Sequence, residues 1–465
     1  MSYSDFLASK AIRVPPTGIP DPGELHASLF PFQRDLVTWA LRRGRAALFA
    51  DCGMGKALMS LAWSQVVARE TGGRVLILAP LAVAKQFVHE GEKFGVPVQY
   101  VREQAHVTGN IVVTNYEMLS HFDASSFTGV VCDESSILKQ LTGRIRTSLI
   151  DTFKGTRFKL ACTATPAPND FMELGNHSEF LGALTHAEML ATFFVHDGGE
   201  TQSWRLKGHA QHDFWRWLCS WAAMIRQPSD LGYPNGDYVL PELRFHETIV
   251  PADHRDAWAT GKLFVSDATS LTEQRAARKS SLEKRVAQAA ALANATKEQA
   301  LVWCDLNDEG DALEAAIDGA VQVAGSDSDE DKEDRLFGFA EGRYRVLVSK
   351  PRIAGWGMNY QNCAKTIFVG LSHSYEALYQ SVRRCWRFGQ TRPVDVHIIT
   401  SEAEGAVLAN VRRKEEDAKR MAEGMLDHMR DIQRVEIQGS VRGNTPYLAS
   451  KEFIAPTWLT SENAS

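Results

Sequence analysis

Three short stretches of this chain carry residue types suited to phosphate chemistry. In Ala50-Asp51-Cys52-Gly53-Met54-Gly55-Lys56-Ala57, the glycines let backbone N–H groups turn toward an anion. An apolar strand precedes the stretch and a helix-compatible segment follows, so the positive end of a helix dipole would face the same anion. Lys56 could then reach terminal phosphates. In Val130-Val131-Cys132-Asp133-Glu134, an apolar strand ends in two adjacent carboxylates about eighty residues further on. Asp133 could hold Mg²⁺ through its water shell, and Glu134 could orient or deprotonate an attacking water. Each stretch has a bland alternative, a glycine-rich turn or a strand that merely ends in acids. Their order and spacing favour the pair acting together. The third stretch, Gln380 to Gln390, is arginine-rich, and the guanidinium geometry of Arg384 and Arg387 suits phosphate oxygens.

One position departs from this chemistry. After the lysine, Thr or Ser normally supplies a hydroxyl to Mg²⁺, and here stands Ala57, whose methyl cannot ligate a metal. The expectation is ATP binding with slow turnover.

Positioning these groups requires two layered units. Apolar runs at Ala46–Ala50, Val75–Ala79, Ile111–Thr114, Gly129–Cys132 and Phe158–Cys162 read as buried parallel strands separated by helical or turn-rich segments. A second series follows at Ala300–Cys304, Ala320–Val323, Arg345–Ser349, Thr366–Val369 and Val394–Ile399. The fold class is therefore α/β, with two tandem parallel-sheet lobes flanked by helices. A helix is expected from Pro31 to Arg43. From about 170 the texture changes to a helical insertion rich in aromatics (Trp204, Phe214, Trp215, Trp217, Trp221), read as a subdomain core with a base-stacking platform as the alternative. Arg275–Arg285 reads as a polar helix. Val411–Arg434 reads as a charged helix packed on the second lobe. The expected domains are 1–245, 246–435 and a tail over 436–465.

The bulk numbers bound the answer. The chain has 465 residues, enough for two domains, and a net charge of −6, so any nucleic-acid surface is a local groove on an acidic body. Seven cysteines form no CxxC pair, which disfavours zinc ribbons and disulfide frameworks and fits a reducing compartment. With no signal-peptide pattern or membrane-length apolar run, a cytoplasmic location without membrane partners is expected.

The order of motifs resembles the Swi/Snf-type branch of the superfamily-two helicase-like ATPases. Leu29-Phe30-Pro31-Phe32-Gln33 looks like the segment in which a glutamine reads adenine. Ala50–Ala57 is similar to the family's first motif except at its last position. Leu78-Ala79-Pro80-Leu81, with Gln86, Phe87 and Glu90, resembles the next. Val113-Thr114-Asn115-Tyr116-Glu117 resembles a strand motif that touches a nucleic-acid backbone. Asp133-Glu134 resembles the acidic box, with Ser135-Ser136 replacing its usual Ala-His. Thr163-Ala164-Thr165-Pro166 with Asn169 is similar to the third motif. In the second half, Leu347-Val348-Ser349 and Gly355-Trp356-Gly357-Met358-Asn359 resemble a loop approaching nucleotide and backbone. Gln380 to Gln390 resembles the family's glutamine–arginine–arginine–glycine–glutamine signature.

The resemblance implies two RecA-like lobes and roles for particular residues. Gln33, Gly53, Met54, Gly55, Lys56, Ala57 and Gly357 would hold ATP, and Asp133 would hold Mg²⁺. Lys56, Asp133, Glu134, Gln380, Arg384 and Arg387 would be catalytic, the last two as arginine fingers. Lys85, Thr114, Thr163, Thr165, Lys350 and Arg352 would contact nucleic-acid phosphates. It further implies a minimal phage or prokaryotic member that translocates on double-stranded DNA, in a host-cell cytoplasm if phage-encoded. Two alternatives stay open: a strand-separating DNA or RNA helicase, and a nucleotide-gated DNA-binding switch disabled at Ala57.

Overall fold

A computed structural model describes residues 13–139, 144–167, 170–196, 204–251, 279–355, 358–372 and 374–438. Gly357, Asn169 and residues 275–278 of the Arg275–Arg285 segment lie outside the described residues.

Helix α1 (Pro31–Arg43) begins where the sequence places it. Proline at the first turn has no N–H to waste, and Gln33 Oε1 accepts the Phe30 N–H at 2.9 Å, closing a cap. Gly44, at φ 76°, ends the helix. The chain then enters a seven-stranded sheet of order β3-β4-β2-β5-β6-β1-β9. Its strands are β1 (Arg45–Ala50), β2 (Val75–Ala79), β3 (Gln99–Tyr100), β4 (Ile111–Asn115), β5 (Gly129–Asp133), β6 (Phe158–Cys162) and β9 (Ala222–Ile225). All pairings in it are parallel. Strands β2, β4, β5 and β6 are buried along their whole length, which is why they read as unbroken apolar runs. Helices α2 (Lys56–Thr71) and α3 (Leu81–Phe94) follow β1 and β2.

The order β5-β6-β1 matters for chemistry. These neighbours put Asp133 level with Cys162, and Cys162 level with Leu48. The acidic pair and the glycine loop therefore emerge side by side at the carboxyl ends of adjacent strands, where parallel sheets bind ligands.

Between β6 and β9 lie α5 (Leu174–Leu181), α6 (His186–Phe193), the antiparallel hairpin β7 (Phe194–His196)–β8 (Trp204–Leu206) and α7 (Gln211–Cys219), while α4 (Arg144–Thr152) precedes β6. Phe214, Trp215, Trp217 and Trp221 are buried, packed edge-on against one another and against Phe171, Phe193 and Phe194. They are core, and their faces are unavailable to bases. The insertion is also tied into the first sheet, because β9 pairs with β1.

The second sheet has order β10-β15-β14-β11-β13-β12, again parallel. It comprises β10 (Leu243–Val250), β11 (Ala300–Trp303), β12 (Ala320–Val323), β13 (Val346–Ser349), β14 (Lys365–Val369) and β15 (Val394–Ser401). Helices α8 (Leu282–Asn294), α9 (Asn307–Ala316), α10 (Asp329–Ala340), the short α11 (Pro351–Ala354) and α12 (Tyr375–Cys385) connect or flank these strands. Two α/β lobes with parallel sheets are thus present.

The last helix corrects an expectation. Helix α13 (Gly405–Gln438) starts on the second lobe, where Val407 and Val411 join its core. It then crosses over: Met425, Leu426 and Met429 pack among the aromatics of the first lobe, and Ile437 joins the core around α1. Gln433 fixes the crossing by bonding both the N–H and the carbonyl of Met224. The charged pattern marked one face for water and left open which lobe covers the other. Among the described residues no helix is long and apolar enough to cross a membrane, and all seven cysteines are buried and free.

Candidate active site

The glycine loop leaves β1 at Ala50 and enters α2 at Lys56. Gly53 (φ 88°) and Gly55 (φ 83°) occupy the left-handed region, where any side chain is strained. Space forbids one as well. A Cβ on Gly55 would lie 2.3 Å from Gln33 Nε2, and one on Gly53 would lie 2.9 Å from the Phe388 backbone nitrogen. Gln33 Nε2 donates to the Met54 carbonyl at 2.9 Å, so the glutamine braces the loop while keeping one N–H and one lone pair free. Lys56 Nζ donates to the Ala50 carbonyl at 3.0 Å, folding over the loop it serves.

Asp133 ends β5, and its carbonyl accepts the Tyr116 hydroxyl at 2.6 Å. Burial, with the neighbouring Glu134 adding to it, pushes the Asp133 carboxyl up to about 7; Lys56 and Arg384 pull the other way. Glu134 is the one non-glycine residue with positive φ, 51°, among the described residues. That backbone, costly for a side-chain-bearing residue, turns its carboxylate into the cleft, where Oε2 is buried without a protein partner. A bound water, which can donate a proton to it, would satisfy that oxygen.

Beneath the pair, Ser135 Oγ and His177 Nε2 lie 3.0 Å apart. His177 comes from α5 and is fully buried. Burial drives His177 down to about 4 from 6.5. A fully buried histidine that must stay neutral when folded binds a proton more readily unfolded. Its contribution is intact above about 6.5 and is lost as pH falls toward about 4, on the order of 3 kcal/mol. Urea unfolding across that range should therefore show a steeper loss for the natural chain than for His177→Gln. Parallel pH profiles would refute it.

The second lobe faces this site with α12 and the turn after it. Arg384 is anchored on every side: Nε to the Gln380 carbonyl at 2.9 Å, Nη1 to the Met358 carbonyl at 3.2 Å and Nη2 to Gln380 Oε1 at 3.0 Å. Arg387 makes one hydrogen bond, to the same Met358 carbonyl at 3.1 Å. Burial, and the like charge of Arg384 beside it, lower Arg387 to about 10. Two guanidinium groups buried together are favoured by an anion between them and the loop. Gln390, which ends the signature, acts as a brace. Its Nε2 donates to the carbonyls of Gln361 and Cys363 at 3.0 and 2.9 Å, fixing the turn that carries Arg387.

A single cavity of about 310 Å³ is lined by Gln33, Gly53, Gly55, Lys56, Ala57, Asp133 and Glu134 from one lobe and by Arg384 and Arg387 from the other. Its far end is walled by Phe30, Tyr238 and Phe388, with Tyr238 and Phe388 ring centroids 4.4 Å apart. The sequence pattern assigns no role to Tyr238 or Phe388, nor to Asp51, Tyr379 and Arg383. Arg383 alone carried a signal, as a third arginine beside the expected two. Gln380 lies behind this wall, accepting from Cys52 Sγ at 3.5 Å.

The expected phosphate-contacting residues separate into two groups. Lys85 and Arg352 line an interlobe groove of about 530 Å³, where Lys85 pairs with Glu333 across the cleft. Thr114 and Thr163 are fully buried. Lys350 is buried and donates to Asn307 Oδ1 at 2.6 Å. Thr165 Oγ1 bonds Glu376 Oε1 at 3.2 Å and faces a different cavity. These four side chains are turned away from the groove in this arrangement.

Two α/β lobes closing on a glycine loop, an acidic pair and opposed arginines define a cleft suited to a nucleoside triphosphate. No family model matches the chain. It is similar to the SWI/SNF-related matrix-associated actin-dependent regulator of chromatin subfamily A-like protein 1 of Xenopus tropicalis, 26% identical over 163 residues, covering 32% of this chain and 17% of that protein. It is also similar to the DNA annealing helicase and endonuclease ZRANB3 of Mus musculus (26% over 166 residues; 31% and 15%) and of Bos taurus (27% over 165 residues; 31% and 15%). The chain thus matches less than a fifth of the length of these relatives, 17% at most. Among solved structures it is similar to the Sulfolobus solfataricus SWI2/SNF2 ATPase core in complex with dsDNA, at TM-score 0.41 and 16% identity, covering 89% of this chain and 98% of that one. The resemblance to Swi/Snf-type helicase-like ATPases is therefore present in sequence comparison over 31–32% of this chain as well as in motif order.

Proposed function

We propose that this chain is a DNA-dependent ATPase that translocates on double-stranded DNA without separating its strands. One observation carries the proposal: Lys56, Asp133 and Glu134 of the first lobe share a cavity with Arg384 and Arg387 of the second. Neither lobe holds a complete site, so hydrolysis requires closure and closure can be coupled to movement.

In this reading Gln33 meets the adenine edge with its spare donor and acceptor, while Phe30, Tyr238 and Phe388 enclose the base. The N–H groups of the loop and Lys56 hold the β- and γ-phosphates. Glu134 orients the attacking water and accepts its proton, and Arg387 neutralises charge on the transferring group. Mg²⁺, held through Asp133, would supply further charge neutralisation at the phosphates. The domain division at 245 and the tail from 436 belong to the same proposal; the second sheet already begins at Leu243, and α13 runs to Gln438. DNA would lie along the groove holding Lys85 and Arg352, bound by its backbone and therefore weakened by salt. A cytoplasmic setting belongs to this proposal too.

ATP hydrolysis with and without duplex DNA, on the natural chain and on Lys56→Ala, tests it. Stimulation by duplex over single strands or RNA, lost in the variant, is expected; equal stimulation by all three would favour the helicase reading. Ala57 favours one second reading, a nucleotide-gated switch with little turnover, because its methyl lines the cavity where a hydroxyl would be useful. Ala57→Thr should raise kcat roughly tenfold if the missing hydroxyl limits turnover. An unchanged rate would remove that position from the explanation.

A further inference from the structure

The second lobe also grips the glycine loop through residues other than the candidate arginine fingers, of which Arg384 Nη2 lies 3.9 Å from Cys52 Sγ. Asp51, the loop's first residue, is claimed from across the cleft by two side chains of α12. Tyr379 donates its hydroxyl to Asp51 Oδ1 at 2.5 Å, and Arg383 Nη2 lies 3.1 Å from Asp51 Oδ2. The same Arg383 nitrogen donates to the Cys52 carbonyl at 2.6 Å, and Asp51 Oδ1 also accepts the Cys52 N–H at 2.6 Å. The guanidinium is itself held against Trp386, 5.0 Å from the ring centre. Asp51 and Arg383 side chains are 12% and 6% exposed, so water does little to weaken the pair.

What lies behind the loop gives these bonds their weight. A second cavity, of about 280 Å³, opens on the other side of Asp51, lined by Asp51, Tyr379 and Arg383 and closed over by α13. The start of the loop thus borders this cavity: the Asp51 N–H is held by the Ile225 carbonyl at 2.9 Å, while its side chain and the Cys52 carbonyl are held by α12. Turning the Asp51–Cys52 peptide would redirect the following N–H groups away from an anion.

We infer that Asp51, Tyr379 and Arg383 form a latch through which the second lobe sets the shape of the phosphate-binding loop. This rests on the proposed ATPase function and adds a regulatory link to it. Opening the cleft withdraws Arg387 from the γ-phosphate and at the same time loosens the loop that holds the β-phosphate, so release follows opening. Arg383 and Tyr379 are positioning residues, acting through Asp51.

Hydrogen exchange on the full chain without nucleotide tests the latch independently of turnover. Arg383→Gln and Asp51→Asn should each speed exchange of the Asp51–Lys56 amides about tenfold, although Arg383 belongs to the other lobe. The double variant should exchange no faster than the faster single, because both remove one interaction. Arg383→Lys, which keeps the charge and is the milder change, should fall between. In ATP hydrolysis with duplex DNA, Arg383→Gln should raise the KM for ATP about tenfold, because the loosened loop holds the β-phosphate less well. Unchanged loop exchange, or effects that multiply in the double variant, would overturn the latch, as would an unchanged KM. If the natural chain hydrolyses no ATP but the exchange coupling holds, the latch stands and the motor reading falls.

Discussion

Arg387→Ala should lower DNA-stimulated ATP turnover about a thousandfold, the scale on which a single guanidinium acts in phosphoryl transfer. Nucleotide affinity should stay within about threefold, because the loop, Lys56 and Gln33 all belong to the other lobe. The two candidate fingers are not equivalent. Arg384 spends its donors on Gln380 and Met358, whereas Arg387 has a single bond and an unfavourable neighbouring charge. Arg387 is free to meet a phosphoryl group; Arg384 holds the turn in place. Steady-state rates with nucleotide titration decide this. A variant that loses affinity in step with rate would make Arg387 a binding residue instead.

Glu134→Gln should cost roughly a hundredfold or more in kcat, the contribution expected of a positioned general base. The amide keeps the size of the carboxylate, so the strained backbone at φ 51° and the fold around it are retained. ATP binding and duplex binding should survive, leaving a chain that closes on nucleotide without consuming it. Single-turnover measurements with pre-bound ATP isolate the step. Full activity in this variant would assign the water to another group.

Much of the fold was legible because buried parallel strands are written as apolar runs. Helix α1 could be bounded to the residue, Pro31 opening it and Gly44 stopping it. Strand β9 was missed because Ala222–Ile225 follows the tryptophan cluster and reads as more of the same helix. Strand β10 was missed for the opposite reason. It is an edge strand exposed along most of its length, Phe245 and Ile249 included, so it carries no buried apolar run. Within the site, the glycine loop, acidic pair and arginines were legible because phosphate chemistry narrows the choice of residue at each position. Tyr238, Phe388 and Asp51 were not. Their roles come from contact between lobes, which no local pattern encodes. Thr114 and Thr163 show the converse, motif positions that the fold buries.

The 34 residues of α13 make a rod of about 51 Å, rooted by Val407 and Val411 at one end and by Ile437 at the other. A rod fixed in both bodies keeps them near one another however far the mouth of the cleft gapes. Each recapture of the arginines is then an intramolecular event at high effective concentration, its entropic cost largely met during folding. The same leash sets a ceiling on excursion, so in the proposed motor the distance covered in one stroke is bounded by the chain itself.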